Sequence, residues 1–340
     1  TRLVSSLSIF SVRSSQHGVT IVGLFSSIFG KKIPSSDQVL DQAIQMFRQG
    51  NAVDAITLMK QCVTDICAAS GSHSKEYAES LSHLATLMCA TGDYEQGAEI
   101  CKQAADVCGK SASLTKDRLT YLMNAGQMYA HAGSPETAIP ILQESLSERI
   151  AFYGDGHAGV AYGQQVLAEA YLANQQYEEG LKQAQSAAQI FEGERHQEFP
   201  GTFALRAALA SATGQTHDNI WQGLADYPEE VVEEVMNSAG IMAKLMSDGL
   251  GVVYLEKLSD WCDHYMSDDV VKRVNAIAQW SNLAYERDDS EALGKSADKI
   301  PSVVDALPDA ESRINLLQGM AINYSRCDRS ADDIRDIYQR

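Results

Sequence analysis

Little in this chain interrupts a helix. Seven prolines and 24 glycines are spread over 340 residues, so long helices can run with few breaks. Alternating Val/Ile/Thr runs are nearly absent, which leaves little room for sheet. No apolar stretch reaches the ~18–20 residues that a membrane span requires, and the longest candidate, Thr20–Phe29, has ten. The motifs GxSxG, HExxH, GxGxxG and CxxC are all missing. Without them no nucleophile elbow, zinc protease, dinucleotide fold or thiol–disulfide pair is expected. The seven cysteines are odd in number and fall mostly inside helical patterns, which fits a reducing compartment and small core side chains better than a disulfide framework or a zinc site.

Acidic residues are missing from one region only. Residues 1–36 carry no Asp or Glu and four basic residues, Arg2, Arg13, Lys31 and Lys32, for a charge of +4. Residues 37–217 sum to −10 and residues 218–340 to −12, giving −18 overall. An acidic body repels phosphate backbones, so nucleic-acid binding is disfavoured. The Ser-rich, acid-free first 36 residues have the composition of an organelle transit peptide. They also read as an upstream extension, a loosely ordered tail, or a basic-ended anchor at Leu24-Phe25-Ser26-Ser27-Ile28-Phe29-Gly30-Lys31-Lys32. These readings stay open together. The expected location is the cytoplasm, with the mitochondrial matrix or another organelle as the alternative.

What is present is a repeat. Turns fall at Gly50-Asn51, Gly92-Asp93, Gly133-Ser134 and Gln175-Gln176, spaced 42, 41 and 42 residues apart, with Gly214-Gln215 following 39 later. Seven residues before each turn stands a small residue: Ala43, Ala85, Gly126, Ala168, Ala207. Four before it stand Met46, Met88, Tyr129, Tyr171 and Ala210. Five after it stand Ala55, Gly97, Ala138 and Gly180. Two antiparallel helices approach closely only where both carry small side chains, and the larger residue fills the space beside them. Gly at the turn supplies a left-handed helix stop.

Tyr94-Glu95-Gln96-Gly97 and Tyr177-Glu178-Glu179-Gly180 resemble the Y-x-x-A core of tetratricopeptide repeats. The period near 42 is similar to the kinesin-light-chain type. So are the joints Gly71-Ser72-His73-Ser74 and Gly154-Asp155-Gly156-His157, with a weaker copy at Gly193-Glu194-Arg195-His196. The chain departs from that subfamily by lacking Pro after each His and by a degenerate joint at Cys108–Thr115. Recurrence of His73, His157 and His196 at equivalent joints points to capping or turn-fixing, not to metal or catalytic roles. The resemblance implies an all-α fold, a right-handed superhelical solenoid of antiparallel helix hairpins. Residues 37–217 form about 4.5 repeats in this reading. Residues 218–340 continue as degenerate repeats, in which Gln279–Arg287 matches Gln318–Arg326 at a period of 39. Trp221, Trp261 and Trp280 are expected in the inter-helix core there. The last helical pattern runs to the end of the sequence, which leaves open a longer native chain.

In this family the first helix of each repeat lines a concave face. The resemblance places His83, Thr86, Met123, Asn124, Gln127, His131, Gln165 and Glu169 on it, with Asn124 at the position of an asparagine that contacts peptide backbone. These positions hold almost no Lys or Arg, so a carboxylate clamp is not expected. An extended or helical peptide, held by side-chain amides and shallow apolar contacts, is. The opposing reading is a solvated face, with binding at an edge or an end. Ala104–Ser111 nearly matches a phosphate loop, but a helix precedes it and a second Gly is missing. No catalytic, cofactor-binding or metal-ligating set emerges. The function expected is a non-catalytic scaffold or adaptor for a protein or peptide partner. The alternative is an accessory subunit of a larger, membrane-associated organellar complex, touching membrane through residues 1–36.

Overall fold

The computed structural model describes residues 34–327 apart from 217–219, 222, 248, 305, 308 and 309. The readings of the basic segment before residue 34 lie outside the described residues. Every regular element among the described residues is helical. The chain forms two compact units, residues 1–154 and 155–340.

The first unit is three helix hairpins: α1 (Ser36–Arg48) with α2 (Ala52–Ser70), α3 (Lys75–Ala90) with α4 (Tyr94–Cys108), and α5 (Thr115–His131) with α6 (Pro135–Tyr153). Ser35 starts α1 through a capping box with Gln38, the two residues exchanging hydrogen bonds of 3.4 and 3.2 Å. Each first helix then stops in the same way. At the turns the residue at C′ donates three residues back and the next residue donates five back, as in Gly92 to Cys89 at 3.0 Å and Asp93 to Met88 at 3.0 Å. This closure satisfies orphan carbonyls and requires φ > 0. Gly50, Gly92 and Gly133 supply it, with φ between +79° and +87°.

The register of small residues brings the helices together. Ala43, Ala55, Ala85 and Ala138 are fully buried. A Cβ on Gly126 would lie 2.5 Å from Leu142 Cδ2 and one on Gly97 would lie 2.7 Å from Cys89 Sγ, so neither crossing has room for a methyl group. Beside them the Tyr129 hydroxyl donates to Glu99 of α4. Arg118 of α5 pairs with Glu144 at 2.7 Å and Glu148 at 2.8 Å on α6. Buried Arg149 donates 2.9 Å back to the Leu119 carbonyl.

The second unit opens with the hairpin α7 (Ala158–Ala173) and α8 (Tyr177–Glu194), followed by α9 (Phe199–Ala212). Gln175 occupies the left-handed turn at φ +58°, where the other turns have Gly. The helix α10 (Glu229–Leu245) packs on α9. Helices α11 (Leu250–Tyr265), α12 (Val270–Glu286), α13 (Ser290–Lys299), the short α14 (Pro301–Val304) and α15 (Ala310–Arg326) follow. Asp269 and Asp289 cap α12 and α13, each accepting a backbone N–H at 3.0 Å. Asp288 takes the left-handed turn at φ +56°.

Aromatic packing dominates this unit. Trp221 is fully buried and its ring lies 5.3 Å from Tyr254, 6.4 Å from Phe203 and 6.5 Å from Trp261. The buried Tyr254 hydroxyl donates 3.0 Å to the Ala204 carbonyl, tying α11 to α9. Trp280 is likewise buried, with the Lys299 ammonium over its ring. Arg273 and Lys299 converge on Asp263 at 2.9 and 2.8 Å, linking α12 and α13 to α11.

Candidate functional site

The first-helix positions singled out in the sequence fall in both units, six in the first and two in the second. On α3, His83 is partly buried, with Nε2 3.5 Å from Asp37 Oδ1 of α1. Its Nδ1 is buried and has no hydrogen-bond partner. The Thr86 hydroxyl donates 3.0 Å to the Ser82 carbonyl, one turn back on its own helix. On α5, Asn124 and Gln127 are partly exposed. One turn separates them, so both lie on one face, and among the described residues neither side-chain amide has a partner. His131 is exposed at the end of α5, its ring tilted 5.7 Å from Tyr94.

Met123 departs from the expectation. It is 3% exposed and belongs to the core, not to an open face. The buried stripe of α5 is wide, taking in Leu119, Leu122, Met123, Gly126 and Met128 among others. An apolar side chain at the edge of such a stripe turns inward.

In the second unit Gln165 and Glu169 form a chain on α7. Gln165 Nε2 donates 3.2 Å to Glu169 Oε1, while Gln165 Oε1 accepts 2.8 Å from the Thr202 hydroxyl of α9. Glu169 as a residue is partly exposed, but its carboxyl is shut away from water. Burial pushes its pKa up from 4.5 to about 7, opposed by the Gln165 hydrogen bond and assisted by nearby Glu198. The folded chain therefore holds a proton that the unfolded chain has released between these two values. Stability due to this group is lost as pH rises from 4.5 through about 7. Glu169→Gln should flatten that slope. Thermal melts should show it more stable than the wild type by roughly 1–3 kcal/mol at about pH 8 and unchanged near pH 4.5. A slope that survives the substitution would refute the assignment.

The joint histidines act on backbone. His157 Nδ1 accepts the Gly159 N–H at 2.9 Å and His196 Nδ1 accepts that of Glu198 at 3.2 Å. His73 instead bonds Ser72 at 2.8 Å and Lys110 at 3.0 Å, leaving Ser74 to cap α3. Gly109 of the near phosphate-loop pattern sits at the end of α4. Among the described residues the seven cysteines form no disulfide, and burial pushes the thiols of Cys89, Cys101 and Cys262 up to about 12. At neutral pH those three are thiols, not nucleophilic thiolates. Among the described residues no group of three or more His, Cys, Asp or Glu is placed to hold a metal ion. No helix among them is long and apolar enough to cross a membrane.

Helix hairpins in tandem, each closed by one turn type and crossing at small residues, define an α-helical repeat protein. The family model for the tetratricopeptide repeat matches residues 76–147. Residues 76–147 are thus tetratricopeptide-repeat sequence, and the hairpins on either side continue the same helical-repeat architecture. Among solved structures it is similar to the apo form of RapI, with TM-score 0.54 and 11% identity over 90% of this chain and 99% of that one. It is also similar to the nearly identical repeats of a kinesin light chain from Podosopora anserina, with TM-score 0.47 and 19% identity over 62% and 98%. A Rap protein complexed with Competence and Sporulation Factor aligns with TM-score 0.44 and 17% identity over 90% and 75%. No curated protein matches the sequence.

Proposed function

We propose that the protein is a non-catalytic scaffold or adaptor that holds an extended or helical segment of a partner protein against α3 and α5 of its first unit. The observation that carries this reading is the pair Asn124 and Gln127. Their amides share a helix face and have no protein partner among the described residues. An amide offers both donor and acceptor to a peptide group, and a solenoid's free face leaves such groups available. His83 and Thr86 extend the polar surface on α3, and no Lys or Arg stands among these positions. The surface is therefore suited to backbone and neutral side chains more than to an acidic tail.

A random dodecapeptide library panned on the whole chain tests the reading. Selected peptides should lose about tenfold or more in affinity, ~1.4 kcal/mol, for Asn124→Ala combined with Gln127→Ala. They should keep full affinity for Lys102→Ala, which changes an exposed residue of α4. Equal binding to the amide-less and parent chains would contradict the proposal.

A further inference from the structure

Arg206 stands where its repeat ought to have an apolar core residue. It lies eight residues before the Gly214 turn. The same place in the three preceding repeats is held by Leu84, Ala125 and Leu167, which are 5%, 0% and 1% exposed. α8 and α9 pack on each other, tightly where Gly180 meets Leu209. A cavity of about 460 Å³ opens between them. Leu181 and Ile220 give it apolar walls, and Gln185, Gln189 and Gln215 bring amide side chains to it. Arg206 is the single charged residue in the lining.

The guanidinium lies 4.2 Å over the Phe203 ring, and among the described residues it has no ion pair or hydrogen bond. Glu192 acts on it only at longer range and accepts the Tyr227 hydroxyl. Partial burial strips water from its five donors, which lowers the pKa and leaves them short of acceptors. Lys257 Nζ holds the backbone of Gln215, donating 2.7 Å to its carbonyl and 3.2 Å to the Ser211 hydroxyl.

We propose that this cavity binds a carboxylate carried on an aliphatic residue of a partner polypeptide. Arg206 forms the bidentate pair, the glutamine amides take the adjoining peptide groups, and Leu181 and Ile220 take the aliphatic part. A volume of this size suits a side chain with its flanking backbone. One guanidinium among neutral side chains suits a carboxylate better than a dianionic phosphate, which draws several cations. This rests on the protein-holding reading, but the two are separable because the residues lie in different units.

The test uses the whole chain and N-acetylated pentapeptides in calorimetric titration. Ala-Leu-Glu-Leu-Ala with an amidated end offers a side-chain carboxylate. Ala-Leu-Gln-Leu-Ala with a free end offers a terminal one, and the same peptide amidated offers none. A phosphoserine peptide serves as the fourth arm. One or both carboxylate peptides should bind about tenfold or more tightly than the neutral one. Arg206→Leu should remove that preference while leaving the melting temperature equal or higher, since leucine is the residue of two preceding repeats. Arg206→Lys should retain part of it, the charge surviving without the fork. Equal binding of charged and neutral peptides, no binding of either, preference for the phosphopeptide alone, or discrimination that survives Arg206→Leu would each overturn the proposal. Arg206→Leu with intact binding of the library-selected peptides, and Asn124→Ala with intact carboxylate preference, show which of the two readings has failed.

Discussion

Gly251→Ala should destabilise the chain by about 3 kcal/mol or more, the reverse of what the same exchange does in an ordinary helix. Gly to Ala inside a helix usually gains ~0.5–1 kcal/mol, because glycine loses more backbone freedom on folding. In this helix a Cβ would stand 2.1 Å from the Ala243 carbonyl oxygen and 2.9 Å from its carbon, with Leu283 Cδ2 at 3.2 Å. The obstacle is backbone of α10, so no rotamer change relieves it. α10 and α11 must move apart, and overpacking of this kind costs ~1–3 kcal/mol or more on top of the forgone gain. Gly193→Ala is the control. Its Cβ would meet nothing within 4 Å, so it should leave stability unchanged or raise it by up to ~1 kcal/mol. Urea denaturation of both variants reads the sign directly. A Gly251→Ala chain as stable as its parent would show that the two helices do not cross so closely.

Trp221→Ala should cost about 3–5 kcal/mol, the usual range for deleting a buried large aromatic. Trp221 is 0% exposed and its ring contacts Phe203, Tyr254 and Trp261. Those rings belong to α9 and α11, so truncation would loosen both from the segment that carries Trp221. Its indole N–H is buried without a partner, so Trp221→Phe sacrifices volume but no hydrogen bond and should cost under half as much. Denaturation followed by circular dichroism distinguishes the two. A loss under ~1 kcal/mol for Trp221→Ala would place the ring outside the core.

Repeat register was the part of the fold most legible in the sequence. Turn spacing located the left-handed position even where glycine is replaced, at Gln175, because the closure is made by backbone and tolerates polar residues there at modest cost. Small residues at fixed offsets gave the helix crossings for the same reason. The start of α10 at Glu229 was legible too, since Asp226-Tyr227-Pro228-Glu229-Glu230 reads as a turn followed by a helix start, and Trp221 before it fills the core as expected. Gly251 was missed, since it stands at none of the repeated offsets.

For the surface residues, periodicity gives a face but not the width of its buried part. Met123 was therefore placed on an open face and is in the core. Gln165, at the corresponding place before its turn, stays partly exposed, its amide held between Glu169 and the Thr202 hydroxyl. Arg206 carried a usable signal, a charge in register with Leu84, Ala125 and Leu167. It is visible only once the turns are aligned.

The claim that this protein works by holding another is tested most directly at the side-chain amides themselves. With the chain labelled in nitrogen-15, the amide resonances of Asn124 and Gln127 should shift progressively as a library-selected peptide is added and stop at saturation. If binding saturates while both resonances stay where they were, the partner is held elsewhere and α3 and α5 do not form the binding face.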